Sequence, residues 1–247
     1  MTSGTREWAE HNRNCIEGCE NDCIYCYAKG MAIRFKRRTK GNWHEMKRNS
    51  AAYQATRKVN GRIMFPTSHD LHIEHAEWWM PFLRDLLTNG NEVLIVSKPR
   101  FDAIRFICST MLAFRDQIEF RFTIGTNDEE SRKFWEPGAP PISERLDALM
   151  YAHGMKYPTS VSMEPLLMMN PAPFIRTFED YVTGTIWIGT MNHLEQIDIP
   201  NRRYYHTIRS INSREHMQMV YDSLKDNSKI RWKDSVQKLL GVPQRSP

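Results

Sequence analysis

The 247-residue chain has no apolar run that approaches the length of a membrane span. Its opening residues, Met1-Thr2-Ser3-Gly4-Thr5-Arg6, also lack the apolar core of a signal peptide, so a cytoplasmic protein with no membrane contact is expected. Cysteine is scarce and unevenly placed: of five, three sit in one short loop, and no second pair follows. That distribution does not make a disulfide framework, and it lacks the second C-x2-4-C knuckle that usually completes a tetrahedral zinc site. Acidic residues are outnumbered only slightly, 29 against 34 basic ones, and the net charge of +5 by itself implies no more than solubility. The mean hydropathy of −0.59 is low, yet the apolar residues cluster in short runs, which argues against global disorder. The length allows one sizeable core, and an α/β barrel of this size can be a single domain.

The loop itself is Cys19-Glu20-Asn21-Asp22-Cys23-Ile24-Tyr25-Cys26-Tyr27-Ala28, a C-x3-C-x2-C run with an aromatic residue on each side of the last cysteine. Three thiolates on one loop can hold three irons of a [4Fe–4S] cluster and leave the fourth iron open to a small molecule. Cys15 lies four residues before Cys19, so Cys15–Cys19–Cys23 also reads as C-x3-C-x3-C. The tyrosine-flanked Cys26 favours the later trio, Cys19, Cys23 and Cys26, as metal ligands. A non-catalytic zinc knuckle that binds nucleic acid remains the contrasting reading.

Downstream, a helix is expected over 27–35 and a polar, basic surface insertion over 39–58. Short apolar strands then alternate with helices: strands at 62–66, 92–97, 118–124, 159–163 and 185–189, and helices at about 74–87, 101–114, 143–153 (with Ser143 as N-cap) and 172–182. One more strand is expected before Cys15, although Trp8 is the only large apolar residue in 7–14. This alternation argues for a parallel sheet wound by right-handed crossovers. Residues 1–195 would form that α/β unit, and 196–247 a C-terminal helical extension with helices at 213–225 and 232–240. In parallel α/β folds ligands gather at the C-terminal strand ends. Here those ends carry Thr67, Ser68, His69 and Asp70; Ser97 and Lys98; Thr123, Thr126 and Asn127; Ser162 and Glu164; Asn192 and His193. His69-Asp70-x-His72-x-x-His75 invites a metal reading, since two histidines three apart could ligate on one helical turn, but no third ligand is evident and polar residues are natural at a helix start.

Basic residues concentrate in two segments. One holds Arg34, Lys36, Arg37, Arg38, Lys40, Lys47 and Arg48; the other holds Arg202, Arg203, Arg209, Arg214, Lys225, Lys229, Arg231 and Lys233. With Trp43, Tyr204, Tyr205 and Trp232 among them, they could contact phosphates and bases or could form an ordinary solvated surface.

The cysteine loop resembles the radical S-adenosylmethionine (SAM) superfamily. Gly18 through Ala28, Leu94-Ile95-Val96-Ser97-Lys98, Trp135-Glu136-Pro137-Gly138-Ala139-Pro140 with Glu144-Arg145-Leu146, and Ser162-Met163-Glu164-Pro165-Leu166-Leu167 resemble the branch related to spore photoproduct lyase and small phage-type members. The resemblance implies a partial (β/α)6 TIM-like barrel, a [4Fe–4S] cluster and SAM as cofactors, and a flavodoxin- or ferredoxin-type electron donor. With SAM as cofactor, the strand-end Lys98 can pair with its carboxylate, the neighbouring tips Ser97, Thr123 and Asn127 suit the methionine and ribose groups, and Tyr25, Ser68 and Asn192 are further cofactor-binding candidates. Glu164 would bond a ribose hydroxyl or serve the substrate, and Cys15 would be either a hydrogen-atom donor to a substrate radical or a bystander thiol. The substrate implied is a thymine-type base in DNA, for repair or hypermodification with lyase or isomerase chemistry. A peptide or small metabolite is the alternative. The lyase's own C-terminal cysteine has no counterpart here, since Cys108 falls within a helix.

Overall fold

The computed structural model describes residues 4–243. Met1–Ser3 and the last residues of the expected extension, 244–247, lie outside the described residues. Seven strands form one sheet in the order β1-β4-β5-β6-β7-β8-β9, every neighbouring pair parallel. They are β1 (His11–Asn12), β4 (Arg62–Met64), β5 (Glu92–Ser97), β6 (Ile118–Thr123), β7 (Thr159–Met163), β8 (Ile186–Ile188) and β9 (Ile230–Trp232). A separate antiparallel pair joins β2 (Ile16–Glu17) to β3 (Lys47–Arg48). The helices are α1 (Tyr27–Arg34), α2 (Ala76–Thr88), α3 (Phe101–Thr110), α4 (Glu129–Trp135), α5 (Ile142–Gly154), α6 (Pro171–Arg176), α7 (Arg202–Ile211), α8 (Arg214–Leu224) and α9 (Asp234–Leu240).

The strand order never reverses, so right-handed crossovers put the helices on one face and wind the sheet into an open barrel. The expected partial barrel is present, with a weak first strand at His11–Asn12 as anticipated, but with seven strands in place of six. The segment expected to be purely helical supplies the seventh, β9, which pairs with β8. Its helices run 202–211, 214–224 and 234–240.

Strand alternation divides the sheet's two faces. On β6, Ile118, Phe120 and Phe122 join the main core with the helices, while Glu119, Arg121 and Thr123 point into the barrel. The register carries that inner face across to Ser160 and Ser162 on β7, Trp187 on β8 and Arg231 on β9. The interior is therefore polar, and most of its charges are paired, Arg231 bonding backbone carbonyls instead. Glu119 bridges Arg62 at 2.7 Å and Arg121 at 3.0 Å; Lys233 reaches Glu7 at 2.9 Å and Glu164 at 3.5 Å. Trp8 lies edge-on to Trp187 with centroids 5.9 Å apart, under the Lys233 ammonium at 4.1 Å. Since Gly4 and Glu7 touch Lys233 while β1 sits on β4, residues 4–10 cross the open seam between β9 and β1.

Two local expectations change. The 39–58 segment lies mostly at the surface, as expected, but it is anchored rather than free: Trp43 and Met46 are buried, and β3 pairs with β2. Ser143 is not a cap but a first-turn residue, because α5 begins one residue earlier, after Pro141. Pro141 fixes an extended entry and its ring needs no N–H partner.

Candidate active site

The cysteine loop leaves β2 at the C-terminal mouth of the barrel and enters α1. Cys26 is the N-cap of α1, and its Sγ accepts the Lys29 backbone N–H at 3.3 Å. A thiolate there faces the helix's unsatisfied N–H groups. Cys19 N–H donates to the Trp43 carbonyl at 3.0 Å, and Cys26 N–H to the Cys23 carbonyl at 3.2 Å. Asp22, in the left-handed region at φ 43°, is tied to Lys29 at 2.6 Å. All three thiols are desolvated: burial pushes Cys23 up to about 12 and raises Cys19 and Cys26. Cys19 also feels the charge of both Cys23 and Cys26, so the trio shares one neighbourhood. Among the described residues no group of three His, Cys, Asp or Glu side chains is gathered as closely as a single metal ion requires.

A second loop clamps the first. Ile24 N–H donates to the Trp135 carbonyl at 2.9 Å, and Gly138 N–H to the Asn21 carbonyl at 3.1 Å. Arg100 Nη2 adds a bond to the Gly138 carbonyl at 2.7 Å. The approach is so close that a Cβ on Gly138 would overlap the Glu20 carbonyl oxygen. Between the loops lies Glu136. Its carboxylate accepts the Tyr25 hydroxyl, bridges fully buried Arg145 at 2.5 Å and stands 3.9 Å from Lys98 Nζ. Burial pushes the Glu136 carboxyl up, but Arg145 and Lys98 outweigh it and hold it below the ordinary value. Burial likewise opposes the Lys98 ammonium, and Cys23, Glu136 and Asp70 more than offset it, so Lys98 stays charged.

Asp70 supports the loop from the other side. It accepts Asn21 Nδ2 at 2.8 Å, Lys98 N–H at 2.9 Å and the Ser97 hydroxyl. Glu20, beside Cys19, is held by His72 Nδ1 at 3.2 Å and His75 Nε2 at 3.0 Å. The histidines that invited a metal reading thus brace the loop.

Of the residues singled out in the sequence, Cys19, Cys23, Cys26, Tyr25 and Lys98 come together, and Ser97 adjoins them through Asp70. Thr123 is buried at the β6 tip, Asn127 is exposed beyond it, and the half-buried Ser68 donates its backbone N–H to Asn14 at 2.9 Å. Glu164 is engaged by Lys233 and by Asn192, whose Nδ2 donates at 3.2 Å. Cys15 stands apart. It is 0% exposed in the main core, with Arg48 and Tyr53 as its electrostatic neighbours, and burial pushes its thiol up to about 12. Sequence reasoning missed Glu136 and Arg145 as site residues, although both stand inside the motifs quoted above, and it named Asp70 among the strand-end residues without a role. It also overcounted the nucleic-acid contacts, since Trp43, Trp232, Arg38 and Lys233 are buried.

No family model matches the chain. An uncharacterized protein of Methanocaldococcus jannaschii is 25% identical over 158 residues, 60% of this chain and 58% of the relative. A spore photoproduct lyase mutant with bound AdoMet and dinucleoside spore photoproduct superposes with TM-score 0.54 at 16% identity, covering 85% of this chain and 62% of that chain. A second mutant of the same lyase gives 0.57 at 12% identity, covering 94% and 78%. The chain thus spans less than two thirds of the length of the curated relative and of the first of these structures. At such identities the likeness is one of architecture: this chain is built on the fold of spore photoproduct lyase.

Proposed function

We propose that this protein is a radical SAM enzyme acting on a thymine-type base in DNA. The observation that carries the reading is the trio of thiols at the barrel mouth, Cys19 and Cys23 buried and Cys26 half-buried, with the Lys98 ammonium held beside them. The donor set fits a [4Fe–4S] cluster: three cysteines on one loop, one of them at a helix N-terminus, and a cation to offset thiolate charge. When bound, the cluster would supply one-electron reductive cleavage of SAM and, through it, hydrogen-atom abstraction from the substrate.

The chain's own residues prepare that chemistry. Cys19, Cys23 and Cys26 hold the irons. Lys98, kept charged by Glu136, pairs with the SAM carboxylate, and Tyr25 locks the loop through its hydroxyl on Glu136. Ser97 acts through Asp70 and leaves Thr123 and Asn127 for the methionine and ribose groups. Glu164 and Asn192, already joined, present a paired acceptor and donor to a ribose hydroxyl or to the substrate. Trp8 and Trp187 fill the interior below and keep water from the reacting atoms. The DNA assignment is supported by the lyase solved with a dinucleoside lesion, by the motifs shared with that branch and by the exposed basic residues.

Anaerobic reconstitution with iron and sulfide, followed by dithionite and SAM, tests the chemistry. Formation of 5′-deoxyadenosine is expected, stimulated by DNA and carrying deuterium from labelled thymine. Stoichiometric zinc with no cleavage would return the chain to a nucleic-acid-binding knuckle, and turnover only on a peptide or metabolite would overturn the DNA assignment.

A further inference from the structure

We propose that a DNA strand crosses the barrel mouth along α7, with Arg202, Arg203 and Arg209 on its phosphates and a base stacked on Tyr27. This path rests on the DNA reading above and adds to it the surface that holds the strand.

Helix α7 has the sequence Arg-Arg-Tyr-Tyr-His-Thr-Ile-Arg-Ser-Ile, with no acidic residue. Its inner side is fixed: Ile208 and Ile211 are buried, and the Tyr204 ring stacks on Phe134 with centroids 3.9 Å apart. That orientation leaves Arg202, Arg203 and Arg209 exposed. Among the described residues none of the three lies within ion-pairing distance of a carboxylate. Arg209 donates to the Tyr205 hydroxyl at 2.8 Å, and Glu195 is the acid whose field reaches it. Other cations of the C-terminal segment are committed elsewhere. Lys225 pairs with Asp222, Lys229 bonds the Glu179 carbonyl at 2.6 Å, Arg214 bonds the Leu239 carbonyl at 2.7 Å, and Lys233 is buried. Arg202 and Arg209 stand two turns apart on the outer face and Arg203 on the flank above the cavity, and guanidinium groups without a carboxylate partner in such an array match a chain of phosphates.

Tyr27 supplies a second, different feature. It follows Cys26 directly, is 67% exposed, and lies against His193 with ring planes 25° apart. A large exposed aromatic face is a stacking platform for a base. The two features share one rim. Lys40, six residues beyond the end of α1, pairs with Asp198 at 3.4 Å, and the 193–200 segment leads through one 3-10 turn to Asn201, the N-cap of α7. Beneath α7 a cavity of about 230 Å³ extends from Arg203 and Tyr204 to Thr126 and Trp135, next to Glu136. An acidic protein would satisfy the arginines but would leave the aromatic platform unused, so the pairing of cations with a base-sized stacking face favours a nucleic-acid strand.

The test uses the reconstituted protein and a fluorescein-labelled oligodeoxythymidylate, with anisotropy read across a salt series. Replacing all three arginines by glutamine (Arg202→Gln, Arg203→Gln, Arg209→Gln) should flatten the slope of log K against log salt by about 2, from ~0.7 per phosphate contact. The same charge removed from other exposed helices (Arg84→Gln, Arg105→Gln, Arg176→Gln) should leave the slope unchanged. Tyr27→Ala should weaken binding about tenfold, and Tyr27→Phe should retain it. An unchanged slope in the α7 variant, an equal loss in the control variant, or full affinity in Tyr27→Ala overturns the path while the DNA reading stands. A wild-type protein that does not bind the probe overturns both.

Discussion

Replacing Gly138 by alanine tests the clamp that holds the cysteine loop. A Cβ at 138 would overlap the Glu20 carbonyl oxygen and stand 2.9 Å from its carbon and 3.0 Å from Asn21 Cα. Ordinary contact begins at 3.4 Å, so the backbone beside Cys19 must retreat by at least half an ångström, and more for the oxygen. These are backbone atoms with no rotamer to yield. The retreat breaks the Gly138–Asn21 bond and loosens the Arg100–Gly138 bond. Overpacking at ~1–3 kcal/mol and weakened hydrogen bonds at ~1 kcal/mol together put the loss at about 2–4 kcal/mol. The assay is the urea midpoint of the iron-free protein together with iron bound per chain after reconstitution; both should fall. Gly30 is the matched control. It lies within α1, and a Cβ there meets nothing within 4 Å, so Gly30→Ala should stabilise by about 0.5–1 kcal/mol. Full iron loading and an unchanged midpoint in Gly138→Ala would refute the clamp.

Glu136→Gln leaves Arg145 buried without its counter-charge and should cost about 3–5 kcal/mol in urea unfolding. A loss below ~1 kcal/mol would mean that the network carries no net stability. Cys15→Ala should keep its iron and lose about 1 kcal/mol by shrinking a fully buried side chain, whereas loss of iron would make Cys15 a ligand. Stability should also depend on acid. Burial pushes the Glu119 carboxyl up, but Arg121, Ser160 and Arg62 hold it below the ordinary 4.5. The unfolded chain therefore takes up the proton first as pH falls. The contribution of Glu119 is complete above about pH 4.5 and is lost as pH drops through its lower folded value. The urea midpoint should fall across that window, and less steeply in Glu119→Gln; equal slopes would sink the assignment.

The regular part of the fold was legible because burial writes itself plainly on parallel strands. Glu92–Ser97 and Thr159–Met163 fall where the apolar runs place them, and Ile118–Thr123 ends one residue early. The cysteine trio was equally plain, since its spacing is local. What escaped depends on partners distant in sequence. Ile230–Trp232 is three residues long and becomes a strand only because β8 offers an edge. The 39–58 segment looked polar because its surface is polar, while Trp43 and Met46 face inward under the loop. Glu136 was quoted as part of a motif, but nothing local says that its carboxylate meets Tyr25 and Arg145, one far upstream and the other on the next helix. The alternation Ile-Glu-Phe-Arg-Phe-Thr in β6 did carry the polar interior, two charges on one face of a buried strand.

The seam crossed by residues 4–10 sets an order of assembly. Gly4 and Lys233 meet across 229 residues of chain, a closure that costs about 5 kcal/mol by the logarithmic scaling of loop entropy. During synthesis Glu7 and Trp8 leave the ribosome first and wait longest for their partners. The cysteine loop, held by Trp43, Asp70, His72, His75, Arg100 and the 134–138 clamp with Arg145 behind it, has all these supports once the chain has passed residue 145. A nascent chain halted between those points would hold a competent thiol loop on a barrel still open along one side. On the function proposed above, loading of the thiol loop and closure of the barrel are separable events, because the loop's supports precede the seam's last contact in the chain.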